Sequence, residues 1–567
     1  MLVLASLAGA APRWVRVESG RFELYTNAGE AAARSVLDHL QQGRRIFRDS
    51  VPDARGVPLP VRVFLFAKES EFRLYRPAES AAGFFQSGPV RDIIAMPYRG
   101  AESLNVAMHE FVHLVLSHAA PKLPRWLEEG TAEFYSTLRV TGNQLRVGGV
   151  IPNHVSVLAR SNWLDGRTLS RIARDSPEYN ERGKVGIFYA ESWALAHMLN
   201  LSPGYREHMP RFIESLADGQ PPEAAFQDAF SKPLDAALRD LRSYVEGRRF
   251  PVVELDAGPS LQRALARTQE ISSSDAEYAL GDLAIQTGRL QDAERAYRRL
   301  ANGKAPTAEV EGRLGMLALK LNQDDEALKH FRRAIELGTR AAETHFEYAM
   351  LLRDRSGDRT EVTESLRRAV TLSPNYAEAH HLLGLMASTE KHPLDAIEHL
   401  KRAAEILPRQ PQFWHALALA ASEAGDDVEA RRAARRGRAA AETPREIEMA
   451  EALLQRVESP SSPPRPARPA VTTPPAWENP KGDRKLDGAL TRIDCLGQAA
   501  RFTVSSGGRE TVLYVARPGE ILLKNVSSVT FEFRCGPQNG QPVSVEYLAK
   551  PDARLGTAGE MTAIEFR

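Results

Sequence analysis

The sequence predicts a multidomain chain: a mixed α+β domain, an all-α solenoid and a small all-β domain, in that order. Three observations carry this. The length of 567 residues exceeds what one hydrophobic core organises, at roughly 100–200 residues per domain. Small residues recur every 34 or 35 positions between residues 281 and 418. A proline-rich stretch, residues 458–482, then divides that region from a run of short alternating segments.

The chain opens on MLVLASLAGAAPRW, an apolar run followed by small residues. Residues 1–12 are expected to be a truncated export signal, which places the chain in the periplasm or outside the cell, with a cytoplasmic location as the alternative. Residues 13–250 are expected to fold as the mixed domain. WVRVESGRFELYT alternates as one or two strands, and AGEAAARSVLDHLQQGRRIF has helical spacing through Ala32, Val36, Leu37, Leu40 and Ile46. VRVFLFA and DIIAMPY read as buried strands, the latter as an edge strand able to pair with an extended peptide. Helices are expected from about residue 103 to 250, broken by turn signals such as Pro121-Lys122-Leu123-Pro124 and Gly142-Asn143.

A repeat occupies residues 258–457. Gly281, Gly315, Ala349, Gly384 and Ala418 mark its period, and Ala293, Ala327, Ala396 and Ala430 follow twelve residues after their small partners. A larger apolar residue, Tyr297, Phe331 or Leu400, comes four later, and the third unit slips near Gly357 so that Val362 takes the alanine place. Small residues let two helices approach, and stacked pairs bury one continuous core. The pattern resembles the tetratricopeptide repeat in about five units, which implies helix–turn–helix pairs and a protein partner in their groove. Residues 458–482, ESPSSPPRPARPAVTTPPAWENPKG, form a semi-rigid linker. Residues 483–567 hold ARFTVSS, ETVLYVA, VTFEFRC and VSVEYLA between glycine-rich turns, the pattern of a small barrel or sandwich. The only cysteines, Cys495 and Cys535, lie there as either one disulfide or two buried thiols.

Charge and hydropathy narrow the partners. A net charge of +1 gives no pull towards nucleic acid, and no apolar run reaches the roughly 18 residues of a membrane span. The basic run ARRAARRGR, residues 430–438, reads as the solvated face of a last repeat, with an acidic partner as the alternative.

VAMHEFVHLVLSH, residues 106–118, carries chemistry. On a helix His109 and His113 project from one face, where two imidazoles can hold one zinc ion, with Glu110 beside them to reach a water. PRWLEEGTAEFY, residues 124–135, adds Glu128, Glu129 and Glu133. Together these segments resemble the gluzincin metallopeptidases, the superfamily of thermolysin and the zinc aminopeptidases, over roughly residues 20–250. The resemblance implies a zincin-like peptidase domain with Zn2+ on His109, His113 and Glu129. It makes Glu133 the residue that hydrogen-bonds a ligand histidine and turns Glu128 away. Fifteen residues separate His113 from Glu129 and nineteen separate it from Glu133, so the spacing also allows the two glutamates to exchange roles. GIFYAESWALAHML, residues 186–199, resembles the tyrosine-bearing helix of the aminopeptidases, which implies that Tyr189 stabilises the oxyanion. Glu110 would act as general base and then acid. His197 and His208 match no site of that family and read as structural.

The aminopeptidases' Gly-x-Met-x-Asn strand is missing: GFFQSGPVRDIIAMPY stands in its region, so an endopeptidase fits as well as an aminopeptidase. The function expected is a zinc-dependent peptidase acting on a peptide or protein substrate, with a repeat scaffold for docking. The alternative is an inactive peptidase-like scaffold that works through its repeats.

Overall fold

A computed structural model describes residues 13–566 apart from 51–58, 120–122, 174–175, 177–181, 257–266, 304–306, 459–481, 497–498, 517–521, 525–534 and positions 80 and 356. The expected signal segment, the proline-rich linker beyond residue 458 and most of the VTFEFRC strand lie outside the described residues. The described residues form two compact units that divide near residue 460.

In the first unit, β1 (Val15–Ser19) and β2 (Phe22–Thr26) form an antiparallel hairpin, followed by α1 (Glu30–Ser50). Next come β3 (Val61–Phe66), the short α2 (Glu69–Phe72), β4 (Phe84–Gln86) and β5 (Asp92–Pro97). The sheet runs β4-β5-β3-β2-β1 and ends on β9 (Arg267–Glu270), with β2, β3 and β5 parallel. The N-terminal domain therefore draws on residues beyond 250. DIIAMPY is corrected too: β5 is internal, paired to β3 on one side and β4 on the other, and the edge belongs to Phe84–Gln86.

The sequence VRVFLF shows why β3 is buried throughout. Val61, Val63 and Leu65 point to one face, into a core with α1 and with α3 (Glu102–Ser117). Phe64 and Phe66 point to the other, onto Ala276, Ala279 and Leu283 of the first repeat helix, Ser273–Gln286. Arg62 shares that second face and meets Asp282 at 2.9 Å. A lone arginine in a buried strand thus has two counter-ions, Glu23 on the neighbouring strand at 2.9 Å and Asp282, 220 residues away.

After α3 come α4 (Arg125–Ser136), then a hairpin of β6 (Arg139–Thr141) and β7 (Gln144–Val147), which interrupts the expected all-helical stretch. α5 (Pro152–Arg160), α6 (Gly166–Arg171) and α7 (Arg182–Leu201) follow, then helices to residue 246 and β8 (Val253–Asp256), which pairs with β7.

Five helix pairs form the repeats, from Ser273–Gln286 with Leu290–Gly303 to Pro411–Ala424 with Asp427–Ala440, and Pro444–Glu458 closes the array. The period has the steric cause expected. A Cβ on Gly315 would stand 2.5 Å from the Phe331 ring, one on Gly384 2.5 Å from Leu400 and one on Gly281 2.8 Å from Tyr297. Val362 is buried where its repeat lacks the alanine. In the basic run Ala430, Ala433, Ala434 and Gly437 face inward, while Arg432, Arg435 and Arg438 pair with Glu429, Glu458 and Glu451. Those cations lie on a solvated face and are matched within the chain.

The repeats lie along the N-terminal domain. Asp282 takes Arg62 and, at 2.7 Å, Arg313; the Arg289 guanidinium donates to the Leu74 carbonyl at 2.7 Å; Val90 joins the core around Phe331 and Phe346.

In the second unit the strands run β12-β11-β10-β14-β15-β13, from β10 (Arg484–Leu496), β11 (Ala499–Ser506) and β12 (Arg509–Val515) through β13 (Leu522–Lys524) to β14 (Gly536–Leu548) and β15 (Gly559–Phe566). A β12–β15 pairing closes it into a small barrel around Phe502, Val504, Leu513 and Val545. Of the alternatives for the cysteines, the disulfide is present: Cys495 bonds Cys535.

Candidate metal centre

α3 has two faces, and each follows from the 3.6-residue period. Ala107, Met108, Phe111, Val112, Leu114 and Val115 pack into the core. Val106, His109, Glu110, His113 and Leu116 line a cleft of about 1290 Å³. Pro124 starts α4 in extended geometry, which turns Glu128, Glu129 and Glu133 onto the same cleft. α7 supplies Tyr189, and β4 lines the cleft with Phe84, Phe85 and Gln86.

The glycine of the Glu-Gly-x-Ala segment has a steric role. A Cβ on Gly130 would stand 2.1 Å from the Ser192 carbonyl oxygen and 2.8 Å from the Ala196 methyl. Only glycine lets α4 and α7 cross this closely, and the crossing brings Tyr189 beside the histidines.

Three donor atoms converge. His109 Nε2 and His113 Nε2 are 3.1 Å apart, and Glu129 Oε2 lies 3.6 Å and 3.2 Å from them. Among the described residues these three are the one group arranged to hold a metal ion. Donors bound at 2.0–2.1 Å around tetrahedral zinc stand about 3.3 Å apart, so this triangle fits that ion. The Glu129 side chain is 1% exposed. Burial acts against the His113 imidazolium, yet the Glu129 carboxylate outweighs it and lifts the ring to about 9. Donors that compete for one proton are equally a set for one cation.

The remaining predicted residues surround this triangle. Glu133 Oε1 is 3.5 Å from His109 Nδ1, the nitrogen that faces away from the triangle. Its other oxygen lies 3.3 Å from His154 Nε2 on α5. Burial would raise the Glu133 carboxyl, but His154 and His109 hold it below its ordinary value. Burial pushes Glu110 up, while both imidazoles and the Phe85 amide, which donates to it, pull it back. The Tyr189 ring centre is 6.4 Å from that of His109. His197 stays in the core, bonded to the Tyr244 hydroxyl at 2.8 Å and the Gly148 carbonyl at 2.9 Å. His208 packs on Phe230.

Sequence reasoning missed two residues. His154 stands alone in IPNHV and has no spacing relation to the motif. Arg409 belongs to the turn between the fourth and fifth helix pairs, 281 residues from its partner Glu128. Glu128 makes no contact with the histidines: Arg125 and Arg409 each bind one of its oxygens at 2.6 Å.

Comparison with known proteins speaks to the repeats. The chain carries a tetratricopeptide repeat. The family model of that description matches residues 311–337, which cover most of the second helix pair. A scaffold suited to protein–protein contact is thereby part of this chain. Solved structures similar to it include MamA, at 20% identity over 31% of this chain and 95% of that one, with a TM-score of 0.23. PilF of Pseudomonas aeruginosa is similar at 20% identity over 33% and 93%, with a TM-score of 0.28. YrrB, described as a TPR protein with an unusual peptide-binding site, is similar at 23% over 25% and 74%, with a TM-score of 0.21. No curated protein matches the chain. No helix among the described residues is long and apolar enough to cross a membrane.

Proposed function

We propose that this chain is a zinc-dependent peptidase whose repeat array docks a protein partner or substrate. One observation carries the reading: three donors spaced for a single tetrahedral ion share a cleft with a half-buried carboxyl, Glu110. His109, His113 and Glu129 would hold the ion, and Glu129 is favoured over Glu133 because its oxygen faces both Nε2 atoms. Bound there, zinc supplies Lewis acidity and brings a water's pKa near 7. Glu110 takes a proton from the water that attacks the peptide carbonyl and returns it to the leaving amine. Tyr189 donates its hydroxyl towards the oxygen on which charge develops. Glu133 fixes the His109 tautomer through Nδ1 and is itself oriented by His154. An extended substrate would add to the edge of β4. The Cys495–Cys535 disulfide supports a place in an oxidising, exported compartment.

The family match to the repeat favours a second reading, in which the repeats act and the peptidase-like domain only binds. One experiment separates the two. Zinc is measured by elemental mass spectrometry in the parent, His113→Ala and Glu110→Gln chains, and cleavage of a quenched peptide library is followed. A peptidase holds about one zinc, loses it in His113→Ala, and keeps it in Glu110→Gln while cleavage falls by about 10²–10⁴. Zinc without cleavage in the parent favours the scaffold, and cleavage retained by Glu110→Gln refutes its role as base.

A further inference from the structure

The repeats contribute a side chain to the cleft. The turn after helix Pro393–Ile406 reaches the ends of both helices that carry the triangle. His118, just past α3, faces the Ile406 carbonyl at 3.3 Å, and Arg409 reaches the first turn of α4. The Arg409 guanidinium is held by two contacts. Its Nη1 donates to Glu128 Oε1 at 2.6 Å, and its Nε donates to the Ala119 carbonyl at 3.3 Å. Its Nη2 is buried and has no protein partner. The side chain keeps 21% of its surface open and lines the cleft with His113, Leu116 and Ser117. A guanidinium that a carboxylate orients and that stays partly open to the cleft matches an incoming carboxylate oxygen.

We propose that Arg409 is a specificity residue of the cleft, contributed by the repeat array, that binds a carboxylate of the peptide substrate. The inference rests on the peptidase reading and adds the substrate class: peptides that present either a free C-terminus or an acidic side chain to Arg409. It also gives the docked repeats a role in the site itself.

Fluorescence anisotropy tests it in the full chain carrying Glu110→Gln, so that nothing is consumed. The probes are fluorescein-labelled Ala-Ala-Phe-Ala as free acid, the same peptide as amide, and Ala-Glu-Phe-Ala as amide. Tenfold or greater preference for the free acid over the neutral amide assigns the site to a C-terminus, and the same preference for the glutamyl amide assigns it to an acidic side chain. Arg409→Gln should reduce either preference to under about twofold. Arg409→Lys keeps the charge opposite Glu128 but not the fork, and should weaken the preference while the chain stays folded; it serves where Arg409→Gln does not fold. Equal binding of all three probes, no binding at millimolar concentration, or a preference unchanged in both variants overturns the proposal. Zinc content of the same preparations is read separately. A chain that holds zinc and cleaves peptides without this preference loses only the present inference.

Discussion

Gly130→Ala tests whether the crossing of α4 and α7 builds the site. In an isolated helix the change would stabilise by about 1 kcal/mol, since alanine outranks glycine in propensity. Here the new methyl would stand 2.1 Å from the Ser192 carbonyl oxygen, and ordinary contact begins near 3.4 Å, so the helices must part by about 1.3 Å. The obstacle is backbone and cannot rotate away, so overpacking costs about 3 kcal/mol, the upper end of its usual range. The net loss is about 2 kcal/mol, or about 4–8 °C in Tm for a domain of this size. Opening the crossing also draws Tyr189 from His109, and under the proposed peptidase function a shift near 1 Å would cost about 100-fold in rate. Differential scanning calorimetry of the full chain, with zinc content measured beside it, reads the outcome. A variant that melts at or above the parent would refute the steric argument, because propensity alone predicts that sign.

Two further predictions concern buried charge. Asp282→Asn leaves Arg62 and Arg313, 2.9 Å and 2.7 Å from its oxygens, without their shared anion. Stability should fall by about 3 kcal/mol, with faster amide exchange along β3 and helix Ser273–Gln286; unchanged exchange there contradicts a docking role. Glu191 is wholly buried and accepts the Leu164 amide at 2.8 Å, yet burial pushes its carboxyl up to about 8. Its folded pKa lies above the unfolded value of 4.5, so its stabilisation is full below pH 4.5 and is lost as pH rises towards 8. Glu191→Gln keeps the acceptor without the charge and should melt higher than the parent at pH 8 but not at pH 4.5; parallel melting curves across that range would count against it.

Much of the site was legible because its logic is local. His109, Glu110 and His113 need only the period of one helix to share a face, and Glu129 and Glu133 lie one turn apart on the next. The repeat was legible for a similar reason: each small residue meets a large one sixteen positions later, within one helix pair. Arg62, Glu128 and Arg409 carried no such signal. An arginine in a strand or a glutamate beside Glu129 gives no sign in the sequence of a partner more than 200 residues away.

The sequence by itself determined the helices, the period of the repeats and the one-faced array of histidines and carboxylates, since those depend on contacts spanning a few turns. Tertiary structure alone decided which strand forms the edge above the cleft, that His154 stands behind Glu133, and that a repeat turn places Arg409 in the cleft. These depend on how the repeat array lies along the sheet, and that docking is set by long-range burial of Phe64 and Phe66 and by one shared anion, Asp282.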